Sequence, residues 1–333
     1  MKPTVICLTP VRNEAWILDR FLKAASLWAD HIIIADQMST DGSREIALKY
    51  DKVKIIDNPD EEYDEAKRQK LLIKEARKIE GPRLLITLDA DEIFSPNILA
   101  SAEWLTLLNS KPGTVFCFKW ANFCPDLKLM WISNYLVFGY MDDGYQGHSE
   151  NIIHSPRIPN PQNFNVLYLN NIKIIHFQYT DWHRMQHKHR YYQVVEKINF
   201  PQKSALDIIR TYHHMYSIPK EEKIEIPEEW ITEYNKLGVD ITSLYCEPEN
   251  WFEKQILKII RENGASKFRK LRIWDINWAR KAEHYGIANI EIYKDPRKKI
   301  DKIIHNFITK TQPIVNSRKI TFIDGLIKLL FKY

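Results

Sequence analysis

Apolar residues fall into two alternating patterns over the first ninety positions. The runs at 4–8, 31–36, 53–57 and 84–88 are short and rich in β-branched side chains, so they read as buried strands. Between them Trp16, Ile17, Phe21, Leu22 and Ala25, and later Ala66, Gln69, Leu72, Ile73 and Ala76, recur at helical spacing. Strands alternating with helices predict an α/β domain whose parallel strands are joined by crossover helices. The first, second and fourth strands each run out into polar residues, at 9–14, 36–43 and 89–92. Ligands of open α/β sheets bind beyond the carboxyl ends of the strands, so three polar strand ends point to one crevice.

From Thr114 the texture becomes aromatic and β-rich, with strand-like segments at 115–120, 127–135, 166–169 and 173–179 separated by turns containing Pro or Asn. Such segments would extend the sheet and wall the crevice. After Asp181 the pattern is mainly helical, broken near Ile218-Pro219 and Ile226-Pro227. A boundary near Phe200-Pro201 would divide the chain into an α/β domain over 1–200 and a mainly helical region over 201–333.

Composition removes several function classes. The chain of 333 residues has only 10 glycines, and no three of them make the G-x-G-x-x-G spacing of a dinucleotide cradle. Gly139 and Gly144 have a P-loop-like gap, but Tyr145 and Gln146 follow where Lys and Ser or Thr are needed. Any phosphate group must be held by something other than a glycine loop. Cys7, Cys117, Cys124 and Cys246 form no C-x-x-C pair and read as reduced thiols. The apolar stretch at the N-terminus is short and bounded by prolines, unlike a signal peptide, and no apolar run approaches the ~18–20 residues of a membrane span. These features predict a cytoplasmic protein. The net charge of +5 is concentrated from Arg297 onward, where nine Lys/Arg meet two Asp/Glu. No nucleic-acid partner is expected of the nearly neutral remainder.

The strongest chemical signal is Asp89-Ala90-Asp91-Glu92 after an apolar run. Two carboxylates two residues apart share a side of an extended chain, and three acids within four residues repel unless a cation sits among them. Mg²⁺ or Mn²⁺ suits such a site, because either accepts one or two carboxylates and completes its shell with water and phosphate oxygens. A solvated loop whose Asp caps the next helix is the alternative. A second signal is the segment from Asp36 to Ser43, where an acid after a buried strand can accept hydrogen bonds from a ribose or base edge. Its Ser39, Thr40 and Asp41 can also cap a following helix.

Thr9-Pro10-Val11-Arg12-Asn13-Glu14, the Asp36 segment and Asp89-Ala90-Asp91-Glu92, in that order on those strands, resemble the family 2 glycosyltransferases of GT-A fold. The resemblance covers residues 3–95 well and extends less clearly to about 195. It implies a GT-A, Rossmann-like mixed sheet flanked by helices, a nucleotide-sugar donor, commonly a UDP-sugar, and a divalent metal. It places Thr9, Pro10, Arg12 and Glu14 at the donor, with Pro10 and Glu14 bordering the base and Asp36 on the uracil or ribose. Arg68 aligns with a basic position near the diphosphate. Asp91 would be the principal metal ligand, with Asp89, and Ala90 between them, nearer the ribose and the metal's waters. Gln37-Met38 departs from the small or acidic residues usual there, which bears on nucleotide identity. Gln186-His187-Lys188-His189-Arg190 differs from the Q-x-x-R-W motif of processive members, so transfer of a single sugar is expected.

Such a reaction needs stabilisation of the departing diphosphate and a base for the attacking hydroxyl. Eight of the eleven histidines lie between His148 and His214. Glu150 falls where GT-A enzymes often place the base, followed by His148 and Asp143, though a salt bridge or turn contact would equally account for each. His176, in an apolar run, is either a hydrogen-bonded core residue or a third metal ligand, and an imidazole would favour Mn²⁺ over Mg²⁺. His183 and His187 are four apart, but Arg184 replaces the glutamate of H-E-x-x-H and disfavours protease chemistry. Lys188, His189 and Arg190 read as a solvated basic face or a lid on the diphosphate.

The basic amphipathic end of the chain, residues 320–333, could lie on an anionic membrane where lipid-linked acceptors reside, or dock on its own domain or a second subunit. The resemblance thus implies a metal-dependent, inverting, hexosyltransferase-type enzyme of polysaccharide biosynthesis. It would move one sugar to a hydroxyl of a surface glycan or lipid-linked saccharide. A sugar-phosphate nucleotidyltransferase and a catalytically silent nucleotide-sugar or membrane-binding module are the rivals. The first of these would carry a Gly- and Arg-rich loop after the first strand, and residues 9–14 contain no glycine.

Overall fold

In a computed structural model describing residues 2–60, 62–159, 165–243 and 251–333, β1 (Thr4–Val11) occupies the middle of a parallel block. It pairs in parallel with β2 (His31–Asp36) and β4 (Arg83–Thr87), so that Leu8 lies beside Ile33 and Thr87, and β2 pairs in parallel with β3 (Val53–Asp57). Alternate β1 side chains point to opposite faces. Val5 and Cys7 pack with Trp16, Ile17, Phe21 and Leu22 of helix α1 (Ala15–Ser26), whereas Ile6 and Leu8 pack with Leu72, Ile73 and Ala76 of α3 (Glu65–Ala76). A strand covered by helices on both faces must be apolar throughout, which is why β1 and β2 read as continuous hydrophobic runs. The short helix α2 (Ser43–Ala47) follows β2.

Beyond β4 the sheet becomes mixed. β7 (Leu129–Met141) runs antiparallel to β4, followed by β6 (Val115–Phe123), β8 (Val166–His176) and β5 (Glu92–Phe94), giving the order β3-β2-β1-β4-β7-β6-β8-β5, with β9 (Ile224–Glu225) on β7. Gly139 lies at the β4–β7 seam, where a Cβ would come within 2.4 Å of the Leu85 carbonyl oxygen, so only glycine allows the two strands this approach.

The segments expected as two strands at 166–169 and 173–179 form the single strand β8. Its Asn170-Asn171 pair, which resembles a turn, sits at a register shift against β6. The N–H groups that the ladder leaves unpaired there, from Asn170, Asn171 and Ile172, are taken by the Glu103 carboxylate of α4 (Ala102–Leu108) at 2.7–3.1 Å. α7 (Glu228–Lys236) also belongs to this unit, burying Trp230 and Tyr234 in its core.

Packing groups residues 2–181 and 223–243 as one unit and 182–222 with 251–333 as a second. The second is helical: α5 (Trp182–Asn199), α6 (Ala205–Tyr212), α8 (Trp251–Asn263), α9 (Trp278–His284), α10 (Lys299–Thr311) and α11 (Arg318–Phe331). Arg210 of α6 ties three of these together. Its Nε and Nη2 bind the Asp324 carboxylate of α11 at 3.0 and 2.9 Å, and Nη1 donates to the Ile308 carbonyl of α10 at 2.9 Å. Among the described residues no helix is long and apolar enough to cross a membrane. Cys7, Cys117 and Cys124 are buried free thiols, and Cys246 lies outside the described residues.

Candidate active site

The acidic strand end is a closed, hydrogen-bonded structure. The Glu92 N–H donates to the Asp89 carbonyl at 3.0 Å, and the Asp89 N–H donates to Glu92 Oε2 at 2.8 Å. Glu92 opens β5 and is fully buried. Its Oε1 also receives Trp120 Nε1 at 2.9 Å and Arg157 Nη2 at 2.8 Å, while Arg157 Nη1 donates to Oε2. Arg157 Nη2 reaches Asp89 Oδ2 as well, at 2.9 Å. A cation among the acids is what their mutual repulsion demands, and for Asp89 and Glu92 that cation is a guanidinium. Burial, together with the charges of Asp89 and Asp91, pushes the Glu92 carboxyl upward, and Arg157 opposes this; the charges of Asp89 and Glu92 raise the guanidinium against its own burial. Four donors and no acceptor on Glu92 suit its carboxylate form. No sequence motif marks Arg157, which lies between Pro156 and Pro159, 65 residues after its main partner.

His176 ends β8, directly opposite Glu92 in the β5–β8 ladder. Asn122 Nδ2 donates to Ser133 Oγ at 2.8 Å, which turns Asn122 Oδ1 toward His176 Nδ1, also at 2.8 Å. The ring therefore carries its proton on Nδ1, and Nε2 faces Asp91 Oδ2 at 3.9 Å. Trp120 stacks on the imidazole at 4.6 Å between centroids. Asp91 is buried, and its carbonyl accepts the Phe177 N–H at 2.8 Å.

The donor set at Asp91 and His176, one carboxylate oxygen and one imidazole nitrogen held in orientation by the Asn122 amide, fits a divalent cation that keeps other positions for water and phosphate oxygens. Among the described residues no three His, Cys, Asp or Glu side chains come together as a metal-holding group. Asp89 shares its carboxylate with Arg157.

At the carboxyl ends of β1 and β2, the Asp36 segment is stitched to the segment after β1. Asp36 is buried at the end of β2, its Oδ2 receiving Arg44 Nη1 at 3.0 Å, and Arg44 also pairs with Asp57 at 2.8 Å. Asp41 caps two helices at once, accepting the Ser43 N–H at the start of α2 and the Ala15 N–H at the start of α1. Thr40 does not cap through its side chain; its N–H donates to Asn13 Oδ1 at 2.8 Å. Ser39 Oγ accepts the Asn13 N–H and Ser43 Oγ accepts the Glu14 N–H, each at 2.9 Å. Glu14 in turn holds Trp16 Nε1 at 2.7 Å. Thr9 and Pro10 lie on β1, with Thr9 fully buried, and Arg12 is half-buried just beyond. Gln37 donates to the carbonyls of Asp60 and Glu62, so its departure from the family pattern serves to hold the following loop.

The first turn of α3 positions the stretch that carries the candidate bases. Glu65 donates its N–H to the Ile152 carbonyl and accepts the Ser155 N–H, both at 2.8 Å, and Arg68 lies over the Tyr63 ring. At the other end of that stretch, buried Asp142 is clasped by Arg77 at 2.8 Å and Arg83 at 2.9 Å, which hold its carboxyl below the usual range despite burial. Between these anchors, exposed Asp143 accepts the Tyr145 N–H. His148 is half-buried, with Nδ1 3.2 Å from the Ser149 carbonyl, and burial lowers its pKa. Glu150 is exposed and ion-paired with Lys70 of α3, which holds its carboxyl below the usual range.

His189 and Arg190 form neither a solvated face nor an open lid: both are buried in the helical unit, where Arg190 grips Asp275 through two hydrogen bonds of 3.0 and 2.7 Å. His183 and His187 do meet, their Nε2 atoms 3.1 Å apart on α5.

No curated protein matches the chain. Similar solved structures include the inositol-1-phosphate CTP transferase from T. maritima (10% identity, 53% of this chain and 91% of that one, TM-score 0.32). HddC from Yersinia pseudotuberculosis is similar at 10% identity, over 53% and 93%, with TM-score 0.30. A Bacillus anthracis protein assigned as a glucose-1-phosphate thymidylyltransferase is similar at 20% identity, over 42% and 71%, with TM-score 0.28. Likenesses at this level carry no functional argument. The glycosyl transferase family 2 profile, by contrast, matches residues 6–171, the span holding the three strand-end segments and Arg157. Residues 6–171 thus form a family 2 glycosyltransferase-like domain.

Proposed function

We propose that the domain transfers a single sugar from a nucleotide-sugar donor, a UDP-sugar first among the candidates, to a hydroxyl of a glycan or lipid-linked saccharide, with inversion at the anomeric carbon. The observation that carries this reading is the pairing of Asp91 with an Asn122-oriented His176 beside the Arg157-braced Asp89 and Glu92. Mn²⁺ or Mg²⁺ held by Asp91 and His176 would supply positive charge for the departing diphosphate, the imidazole favouring Mn²⁺. Asp36 and the residues from Thr9 to Glu14 receive the nucleoside, and Arg68 adds charge near the diphosphate. Glu150 takes the proton of the attacking hydroxyl: its exposure leaves it open to an acceptor, and Lys70 keeps it ionised. His148 and Asp143 are the alternative bases.

Peripheral membrane contact through α11 would suit a lipid-linked acceptor. That helix docks Ile320, Asp324 and Ile327 while leaving Phe322, Leu329 and Leu330 exposed at 68, 75 and 67%. Apolar residues on a second, exposed face, together with the excess of basic residues, suit an anionic lipid surface.

The test is a thermal-shift panel of UDP, GDP, CDP and their sugars with and without Mn²⁺, repeated on Asp91→Ala, followed by donor hydrolysis. Metal-dependent stabilisation by one nucleotide, lost in the variant, is expected. No stabilisation by any nucleotide overturns the proposal, and binding without hydrolysis or transfer reduces it to a silent module.

A further inference from the structure

A cavity of about 270 Å³ lies within the helical unit, close to the lower end of the ~300–1,000 Å³ typical of small-molecule sites. Tyr212, Tyr216, Met185 and Met215 give it apolar and aromatic wall, and its polar lining is rich in donors: Arg190, Gln193, Arg272. Hydrogen bonding inside the protein leaves several of those donors unused. Asp275 occupies Nε and Nη2 of Arg190, and Nη1 finds no partner among the described residues. The Arg272 N–H donates to Gln193 Oε1 at 3.1 Å, which fixes that amide with Nε2 on the other side, again without a partner. Both side chains are more than nine-tenths buried. No described residue makes a hydrogen bond or ion pair to the Arg272 guanidinium, which burial disfavours and Asp275 only partly offsets.

The charges do not cancel. Arg190 and Asp275 neutralise each other as a two-point pair, so Arg272 is left as net positive charge. Burial and the nearby charge of Arg272 press His213 down to about 3, so this neighbour stays neutral. Leaving buried donors and a guanidinium unsatisfied is costly, and an anion would relieve both costs. A carboxylate offers two oxygens, whereas the available donors, the fork of Arg272, Arg190 Nη1 and Gln193 Nε2, outnumber them and suit the three terminal oxygens of a phosphate.

We propose that this cavity binds a small phosphorylated ligand, its phosphate on Arg272, Arg190 and Gln193 and its body against Tyr212 and Tyr216. The site is separate from the Asp91 centre and does not depend on the reading of that centre as a glycosyltransferase. Inorganic phosphate, a sugar phosphate and a nucleoside monophosphate share the phosphate, and the aromatic wall distinguishes them by what it adds.

The experiment is calorimetric titration of the full chain with inorganic phosphate, glucose 1-phosphate and UMP, on wild type, Arg272→Gln and Asp91→Ala. At least one probe should bind, with affinity reduced about tenfold or more in Arg272→Gln, the loss of about 1.4 kcal/mol of binding energy, and unchanged in Asp91→Ala. Tighter binding of UMP or of glucose 1-phosphate than of phosphate would identify the body that the aromatic wall accepts. Should Arg272→Gln fail to fold, phenylglyoxal modification of wild type, mapped by mass spectrometry, reads the same contact: the ligand should protect Arg272. Binding by none of the three probes, affinity that Arg272→Gln leaves intact, or Arg272 reacting equally with and without ligand overturns the proposal.

Discussion

Arg157 and Glu92 meet edge to edge, Nη1 on Oε2 and Nη2 on Oε1, at the turn that also carries Asp89 and Asp91. The pair sets the shape of the acidic strand end, since the same guanidinium reaches across to Asp89. Removing one member of a buried ion pair leaves the other uncompensated, at a cost of about 3–5 kcal/mol. Arg157→Ala should lower unfolding stability by that order in urea titrations. Arg157→Lys should recover only part of it, because an ammonium cannot satisfy both oxygens in the plane. Equal stability of Arg157→Ala and wild type would refute the assignment.

Asn122 orients His176 without reaching Asp91 itself. If the imidazole holds a metal through Nε2, Asn122→Leu should weaken Mn²⁺ binding about 10–100-fold, measured by the paramagnetic signal of free Mn²⁺, and Asn122→Asp should retain much of it. His176→Ala should weaken binding at least as much as Asn122→Leu.

The pairing of Glu150 with Lys70 predicts the acid limb of the pH–rate profile. Lys70 lowers the Glu150 pKa, so kcat/KM should hold down to below the ordinary carboxylate range and then fall as the base is protonated. Lys70→Met removes the cation and should move that limb to higher pH. Glu150→Gln should lower kcat about 10²–10⁴-fold. A limb that stays in place in Lys70→Met would point to His148 or Asp143.

Buried histidines make the helical unit acid-sensitive. His187 and His305 are pushed down to about 4, in each case chiefly by burial. Between the unfolded value of about 6.5 and these folded values the unfolded chain binds more protons, so stability is full above the window and falls with pH through it. Hydrogen exchange corrected for intrinsic rates should show residues 182–222 and 251–333 losing protection between about pH 6.5 and 4. His187→Gln should flatten part of that dependence.

The exposed face of α11 predicts binding to anionic vesicles. Leu329→Ser with Leu330→Ser should reduce sedimentation with phosphatidylserine vesicles while leaving thermal stability nearly unchanged, because both side chains are exposed. Binding should weaken with salt as the basic residues are screened. Indifference to lipid charge and to both substitutions would remove the membrane from the acceptor side.

Much of this protein is legible in its sequence where the determining interactions are periodic or local. The parallel strands stand out because residues covered on both faces must be apolar, and the polar strand ends stand out by contrast. Asp41 reads as a cap because capping acts over a few residues, although its second helix, α1, lies 26 residues away and could not be anticipated. The paucity of glycine agrees with a site of carboxylates, an imidazole and arginines, and Gly139 serves strand packing instead of phosphate binding.

Other features depend on which strands pair. β5 is three residues long, too short to register as a pattern, yet its pairing with β8 sets Glu92 opposite His176. The partnership of Arg157 with Asp89 and Glu92, the direction of His176 Nε2, and the inward turn of Arg190 toward Asp275 all join residues 54–85 positions apart. A sequence by itself specifies which side chains are able to carry charge, ligate or cap, and where burial will be required. Which cation answers which acid is decided only when the chain closes, because Coulomb and hydrogen-bond energies depend on ångström distances that no spacing along the chain encodes.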